Sequence, residues 1–257
     1  MSNLTILEDF LKLCVSNCAP LVKEPVEYAL FPAGKRIRPI FAMEICEMLG
    51  GDIKEVLPYA ATIELIHAYS LVHDDLPAMD NADTRRGKPS LHKAFGQDIA
   101  ILAGDALLNL AYETMLTHGN NLRIMQEIAH YAGGFGIISG QIMDISAQKP
   151  KNQAEILKLY ELKTASLFKA AFYAGAAAAN ATSKTLAEML EIGKNLGIYF
   201  QIQDDLLDDD IFIQFLGQDN AQKLLQMLCE QLIVNLKRYE NHENVLELVG
   251  DLNNRKF

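Results

Sequence analysis

The chain has 257 residues, half of them hydrophobic, with 33 acidic against 23 basic side chains and a formal net charge of −10. That length holds one large domain or two small ones with a sizeable core, and the acidic balance excludes the basic face a nonspecific nucleic-acid binder needs. No run of roughly 18 uninterrupted apolar residues is present, so no membrane span is expected. The first ten residues include Glu8 and Asp9 and lack the order of a signal peptide, which places the expected protein in the cytoplasm.

Helical periodicity dominates from the N-terminus onward. Ala61, Leu65, Ala68 and Leu71/Val72 recur at three- and four-residue steps through Pro58–Asp75. The same spacing predicts helices over Asp98–Leu116, Arg123–Ser139, Ala154–Asn180, Thr182–Asp208 and Gln218–Tyr239. Strand signals are nearly absent. Ala170–Ala181 is apolar on most sides, as expected of a helix inside a layered bundle. Breakers such as Pro32-Ala33-Gly34, Gly50-Gly51, Arg86-Gly87-Lys88-Pro89, Gly119-Asn120 and Lys149-Pro150 fall between these runs. None is a linker, so the expected fold is all-α, a single-domain helical bundle over residues 1–257. Cys14, Cys18, Cys46 and Cys229 have no partners at metal-site spacing. They read as small hydrophobes in a reducing compartment.

Two acidic clusters close apolar helices. In His73-Asp74-Asp75-Leu76-Pro77-Ala78-Met79-Asp80, Pro77 removes a backbone donor and ends or kinks the helix near Asp74–Asp75. His67, Ser70, Leu71 and Asp74 share one face of that helix. In Phe200-Gln201-Ile202-Gln203-Asp204-Asp205-Leu206-Leu207-Asp208, the polar residues form one stripe on an otherwise apolar rod. So many carboxylates are prohibitively costly to bury without counter-charge. They face water or bind hard cations. A single Asp-Asp-x-x-Asp is common by chance; two, each ending an apolar helix, favour Mg²⁺, which is commonly shared with substrate phosphates. No P-loop or dinucleotide glycine fingerprint is present.

An acidic protein that handles an anionic substrate must supply local cations. Gly34-Lys35-Arg36-Ile37-Arg38-Pro39 and Arg85-Arg86-Gly87-Lys88-Pro89 hold six of the 23 Lys and Arg residues. Arginine forks suit bidentate grip on phosphate oxygens. Lys163-Thr164 adds a cation and a hydroxyl, and His67 a further donor. Two carboxylate sites, two basic sites and an apolar interior suit a substrate with diphosphate at one end and hydrocarbon at the other.

These segments, with Gly140-Gln141 and Asp144, resemble the trans-isoprenyl diphosphate synthases in order and spacing over roughly residues 25–210. The four residues between Asp75 and Asp80 and the preceding Leu65-Ile66-His67 context are most similar to bacterial farnesyl diphosphate synthases. The resemblance implies an all-α homodimer with the two clusters facing each other across a central cavity. It implies three Mg²⁺ held by Asp74, Asp80 and Asp204, with Asp75 and Asp208 as further metal ligands. It assigns catalytic roles to Asp74, Asp80, Lys163 and Asp204, and places Arg85, Lys163, Thr164 and Gln201 on the allylic diphosphate. Gly34, Lys35, Arg38, His67 and Arg86 would hold isopentenyl diphosphate. Ser70 and Tyr69 stand four and five residues before Asp74, where the family builds the floor of the tail pocket; a bulky Tyr69 predicts a farnesyl product. Geranyl or geranylgeranyl products, a non-catalytic subunit and a prenyl cyclase are the alternatives, the last without a matching second metal motif.

Two positions depart from the family. Ala33 replaces the first of two glycines, and Asp208-Asp209-Asp210 runs straight into Ile211-Phe212-Ile213 where a loop with Gly-Lys and a further Lys is expected. A substrate-ordered lid left out of the sequence, rather than lost from the protein, is the expectation there.

Overall fold

The computed structural model describes residues 2–31, 34–147, 150–208 and 211–253, apart from the side chains of Asp208, Ile211 and Phe212. The all-α expectation is met. The chain forms two compact units, Met1–Ile40 with Leu57–Asn121 and Phe41–Val56 with Leu122–Phe257. In order, the elements up to residue 121 are α1 (Asn3–Ser16), α2 (Pro20–Leu30), α3 (Ile37–Met48), α4 (Ile53–Asp74), strands β1 (Thr84–Arg85) and β2 (Lys88–Pro89), α5 (Leu91–Phe95) and α6 (Gln97–His118). There follow α7 (Leu122–Ala132), α8 (Ile137–Ile145), α9 (Gln153–Tyr160), a π-helical turn at Glu161–Ala165, α10 (Ser166–Ala178), α11 (Ser183–Asp208), α12 (Ile211–Leu216), α13 (Gln218–Leu236) and α14 (Glu243–Asn253).

In the first unit, Ser2 caps α1 by accepting from the Thr5 amide. The apolar face of α4 buries Tyr59, Ile63 and Ile66 completely. The Tyr59 hydroxyl accepts from the amides of Asn120 (2.9 Å) and Asn121 (2.7 Å), anchoring the exit from α6. By length and composition α6 is apolar enough to cross a membrane, against expectation. Within its unit it packs on α2 and α5, and Ala103, Leu107, Leu110 and Ala111 are buried.

The short strands answer the Arg-Gly breaker. Arg86 (φ 52°) and Gly87 (φ 75°) both adopt positive φ, and Arg85 pairs with Lys88. This is the two-residue hairpin geometry whose twist matches its flanking strands.

In the second unit, α10 packs along α11, and all its residues from Ser166 to Ala178 except Lys169 are buried, which explains a helix apolar all round. Phe41, Phe168 and Phe172 cluster at 5.4–6.4 Å between ring centroids. The helix expected over Arg123–Ser139 breaks into α7 and α8 at Gly133–Gly136. There a Cβ on Gly136 would stand 1.8 Å from the Tyr131 carbonyl oxygen. The helix expected over Ala154–Asn180 is interrupted by the π-turn, a feature frequent at functional sites. All four cysteines are unpaired thiols.

Candidate active site

The first acidic motif is built by the end of α4. After Asp74 the chain turns back, so that the Asp80 amide donates to the Asp74 carbonyl at 2.9 Å and the Asn81 amide to that of Leu76 at 3.1 Å. Asn81 takes φ 49° to close the turn. The motif's first and last aspartates therefore share one turn, Asp74 half-buried and Asp80 exposed. Asp75 is 2% exposed and accepts Arg85 Nε at 3.1 and 3.2 Å and Nη2 at 2.5 Å. This bidentate pairing raises the Arg85 pKa above its ordinary value. Asp75, expected as a metal ligand, is here the seat of an arginine brought in by the hairpin.

The same unit gathers the residues expected around isopentenyl diphosphate. A Cβ on Gly34 would stand 2.7 Å from Arg86 Nη2, so the backbone lies directly on that guanidinium. Burial, then the charges of Arg38 and Arg86, hold the His67 imidazole well below its usual pKa. Lys35 is exposed and Arg38 half-buried. Arg36, between them, turns inward with φ 48°. Its side chain donates to Glu8 Oε1 (2.8 Å), Glu64 Oε1 (2.6 Å) and the Leu30 carbonyl (2.8 Å). One of the six clustered cations thus supports the segment from within. Ala33 lies outside the described residues.

In the second unit the π-turn carries Lys163 and Thr164. Two glycines bring backbone against it: a Cβ on Gly140 would meet Lys163 N at 2.3 Å, and one on Gly197 would meet Ala165 Cα at 2.3 Å. One turn beyond each glycine stands a partner. Asp144 receives Lys163 Nζ, and the Gln201 side-chain oxygen accepts from Thr164 Oγ1 at 2.6 Å. Gln201 Nε2 then donates to Asp205 Oδ1 at 2.9 Å, and the Tyr160 hydroxyl donates to Asp205 Oδ2. Asp204 is half-buried and Asp205 buried, repeating the build of the first motif. The sequence pattern does not single out Tyr160; its step of four to Thr164 is the signal that places both on one face.

Tyr69 is 7% exposed and burial pushes its phenol up to about 12. The Ser70 hydroxyl donates to the His67 carbonyl of its own helix at 2.9 Å.

The side chain of Asp208, and Asp209 and Asp210 whole, lie outside the described residues. In the sequence Asp208 is joined to Ile211 across two residues, and α12 starts at Ile211. The Gly-Lys loop is absent from this chain. Among the described residues no three His, Cys, Asp or Glu side chains gather into a ready metal cage. The donors of both motifs are nonetheless hard carboxylate oxygens that fit Mg²⁺, with the rest of its shell left to water and phosphate.

Helices ending in two aspartate-rich motifs, with arginines on a hairpin and a lysine on a π-turn, are what the resemblance to the trans-isoprenyl diphosphate synthases implies. A model of the polyprenyl synthetase family matches residues 19–250, and the chain belongs to that family. It is 41% identical over 212 residues to a geranylgeranyl diphosphate synthase of Cyanophora paradoxa, covering 79% of this chain and 71% of that one. To a putative chloroplastic geranylgeranyl pyrophosphate synthase of Arabidopsis thaliana it is 40% identical over 217 residues, covering 79% of this chain but only 60% of the relative. Among solved structures, a geranyltransferase from Legionella pneumophila superposes with TM-score 0.90 at 33% identity, covering 97% of this chain and 94% of that one. An FPP/GFPP synthase from Zymomonas mobilis gives TM-score 0.87 at 32% identity, covering 95% and 94%.

Proposed function

We propose that the chain condenses isopentenyl diphosphate with dimethylallyl and then geranyl diphosphate to give farnesyl diphosphate. The observation that supports it most is the shared build of the two acidic motifs. In each, the second aspartate is buried on protein donors, Arg85 for Asp75 and Gln201 with Tyr160 for Asp205, beside a half-buried first aspartate. In this reading Asp74, Asp80, Asp204 and Asp208 hold Mg²⁺, three ions with substrate bound. The metal, when bound, supplies positive charge for the departing diphosphate. Arg85, Lys163, Thr164 and Gln201 grip the allylic diphosphate; Gly34, Lys35, Arg38, His67 and Arg86 grip that of isopentenyl diphosphate. The allylic C–O bond breaks with its electron pair leaving on diphosphate. The isopentenyl double bond then attacks the allylic cation to form the new C–C bond, and a proton passes from the isopentenyl unit to the released diphosphate. Arg85 and Lys163 stabilise the leaving charge, and apolar side chains keep water from the cation.

Product length is assigned to Tyr69, whose buried ring would stop growth at fifteen carbons. The names of the sequence relatives favour a second reading, a C20 geranylgeranyl product. The short join between α11 and α12 favours a third, a non-catalytic subunit. The two units are read as one prenyltransferase domain over 1–257, cytoplasmic and homodimeric; exposed Ile101, Leu102 and Leu116 on α6 support a partner copy. Incubating purified protein with isopentenyl and dimethylallyl diphosphates and Mg²⁺, with product length read by mass spectrometry, tests the proposal. A C15 product is expected, C20 would refute the Tyr69 argument, and no product would favour the non-catalytic subunit.

A further inference from the structure

We infer that Gly104 and His73 are specificity-positioning residues, holding the Tyr69 ring from behind and so setting where chain growth stops. The inference rests on the reading of Tyr69 as the floor of the tail pocket. Gly104 lies in the interior of α6 and is buried. A glycine there costs the helix about 1 kcal/mol against alanine, and its φ is not in the left-handed region, so no turn requires it. What requires it is His73: a Cβ at position 104 would stand 2.1 Å from His73 Nε2, 2.3 Å from Cδ2 and 2.9 Å from Cε1. Gly140 and Gly197 are different, since the single nearest atom to each belongs to backbone; those two admit the π-turn, whereas Gly104 admits one side-chain ring.

The ring is also tethered. His73 Nε2 lies 3.1 Å from the Ile101 carbonyl, and a carbonyl only accepts, so this contact sets the proton on Nε2. One turn earlier on α4, the Tyr69 ring meets His73 edge-on, with centroids 5.8 Å apart and planes at 81°, the arrangement aromatic quadrupoles prefer. The order of support is therefore α6 backbone, His73, then Tyr69. Remove the middle member and the phenol ring can swing toward α6, deepening the space in front of it.

The test compares Gly104→Ala, His73→Ala and Tyr69→Ala by the C20 to C15 product ratio, a readout that overall stability and turnover do not set. Gly104→Ala and His73→Ala are each expected to raise the ratio about 2- to 10-fold, the worth of one aromatic edge contact. His73→Ala should add nothing in a Tyr69→Ala background, and Gly104→Ala nothing in a His73→Ala background, where the new methyl meets no ring. If Gly104→Ala does not fold, His73→Ala and its double variant with Tyr69→Ala answer alone. Lengthening by Tyr69→Ala with an unchanged ratio for the other two overturns this inference and leaves the floor assignment standing. No lengthening by Tyr69→Ala removes the floor assignment itself.

Discussion

Replacing Arg36 by methionine should be the most damaging single change in the first unit outside the acidic motif. The Arg36 side chain is fully buried and Glu64 is 2% exposed, while Glu8 is 19% exposed. Methionine keeps most of the volume but removes the three donors now given to Glu8, Glu64 and the Leu30 carbonyl. Glu64 then stays as a buried carboxylate without its hydrogen-bonded counter-charge, with only the Coulombic pull of Arg86 left, and breaking such a buried pair costs about 3–5 kcal/mol. Glu8 reaches water, so its share is no more than about 1 kcal/mol. For a chain of this size that corresponds to a fall of about 6–20 °C in the thermal midpoint, measurable by calorimetry at pH 7. Adding Glu64→Gln to Arg36→Met should recover at least about 1 kcal/mol, because the uncompensated charge is gone. The segment flanked by Lys35 and Arg38 would lose its anchor, so KM for isopentenyl diphosphate should rise more than KM for the allylic substrate. A midpoint within about 2 °C of the parent, a shift below 1 kcal/mol for this size, would refute the view that the triad holds this segment.

Three further outcomes are expected. Asp75→Asn frees Arg85 from its bidentate seat, so the allylic KM should rise about 10-fold, the loss of one charge-assisted bond, while the Mg²⁺ concentration for half-activity stays put; a shift in the Mg²⁺ requirement instead would make Asp75 a metal ligand. His67, with its folded pKa held below the unfolded value of 6.5, refuses a proton that the unfolded chain accepts. Stability contributed by this group is thus present above pH 6.5 and lost as pH falls from there toward the folded pKa, and NMR of the imidazole should show it neutral at pH 6.5; a ring half-protonated there would contradict the burial and arginine charges that depress it. Gly140→Ala would favour an open helix by about 1 kcal/mol, but against Lys163 N it should destabilise by about 1–3 kcal/mol and lower kcat by up to about 100-fold as Lys163 shifts; a stabilised, fully active variant would sink the clasp.

Much of this architecture is legible in the sequence, and the failures have physical reasons. The long helices follow from apolar steps of three and four, which hold wherever one face meets a core, as in α4 and α11. The break between α7 and α8 escapes that pattern because the apolar step continues across Gly133–Gly136 while the backbone does not. The π-turn escapes it too, since one extra residue per turn shifts the stripe without ending it. Arg36 is invisible for another reason. Lys35, Arg36 and Arg38 are alike as letters, and only the buried Glu64 one turn before His67, with Glu8 from α1, separates the supporting arginine from its neighbours. Asp75 and Asp205 are similar cases, acidic residues in a run whose place is decided by a hairpin arginine and by Gln201 and Tyr160.

The glycines supply the step from fold to chemistry. Gly140 and Gly197 each let a helix backbone touch the π-turn, and the residue one turn further along each helix, Asp144 or Gln201, holds Lys163 or Thr164. A four-residue offset is one helical turn, about 6 Å of rise, which matches the reach from a backbone contact to the end of a side chain standing beside it. Close approach and polar grip are therefore one device. The glycine fixes the distance between helices, and that distance fixes which atoms of Lys163 and Thr164 can meet a partner. A larger residue at either glycine would push that glycine's own helix away and lengthen the bond its partner makes, Asp144 with Lys163 for Gly140 and Gln201 with Thr164 for Gly197. The same logic separates Gly104, where the space admits the His73 ring rather than a backbone, and where a change would be felt in the length of the product rather than in the grip on its diphosphate.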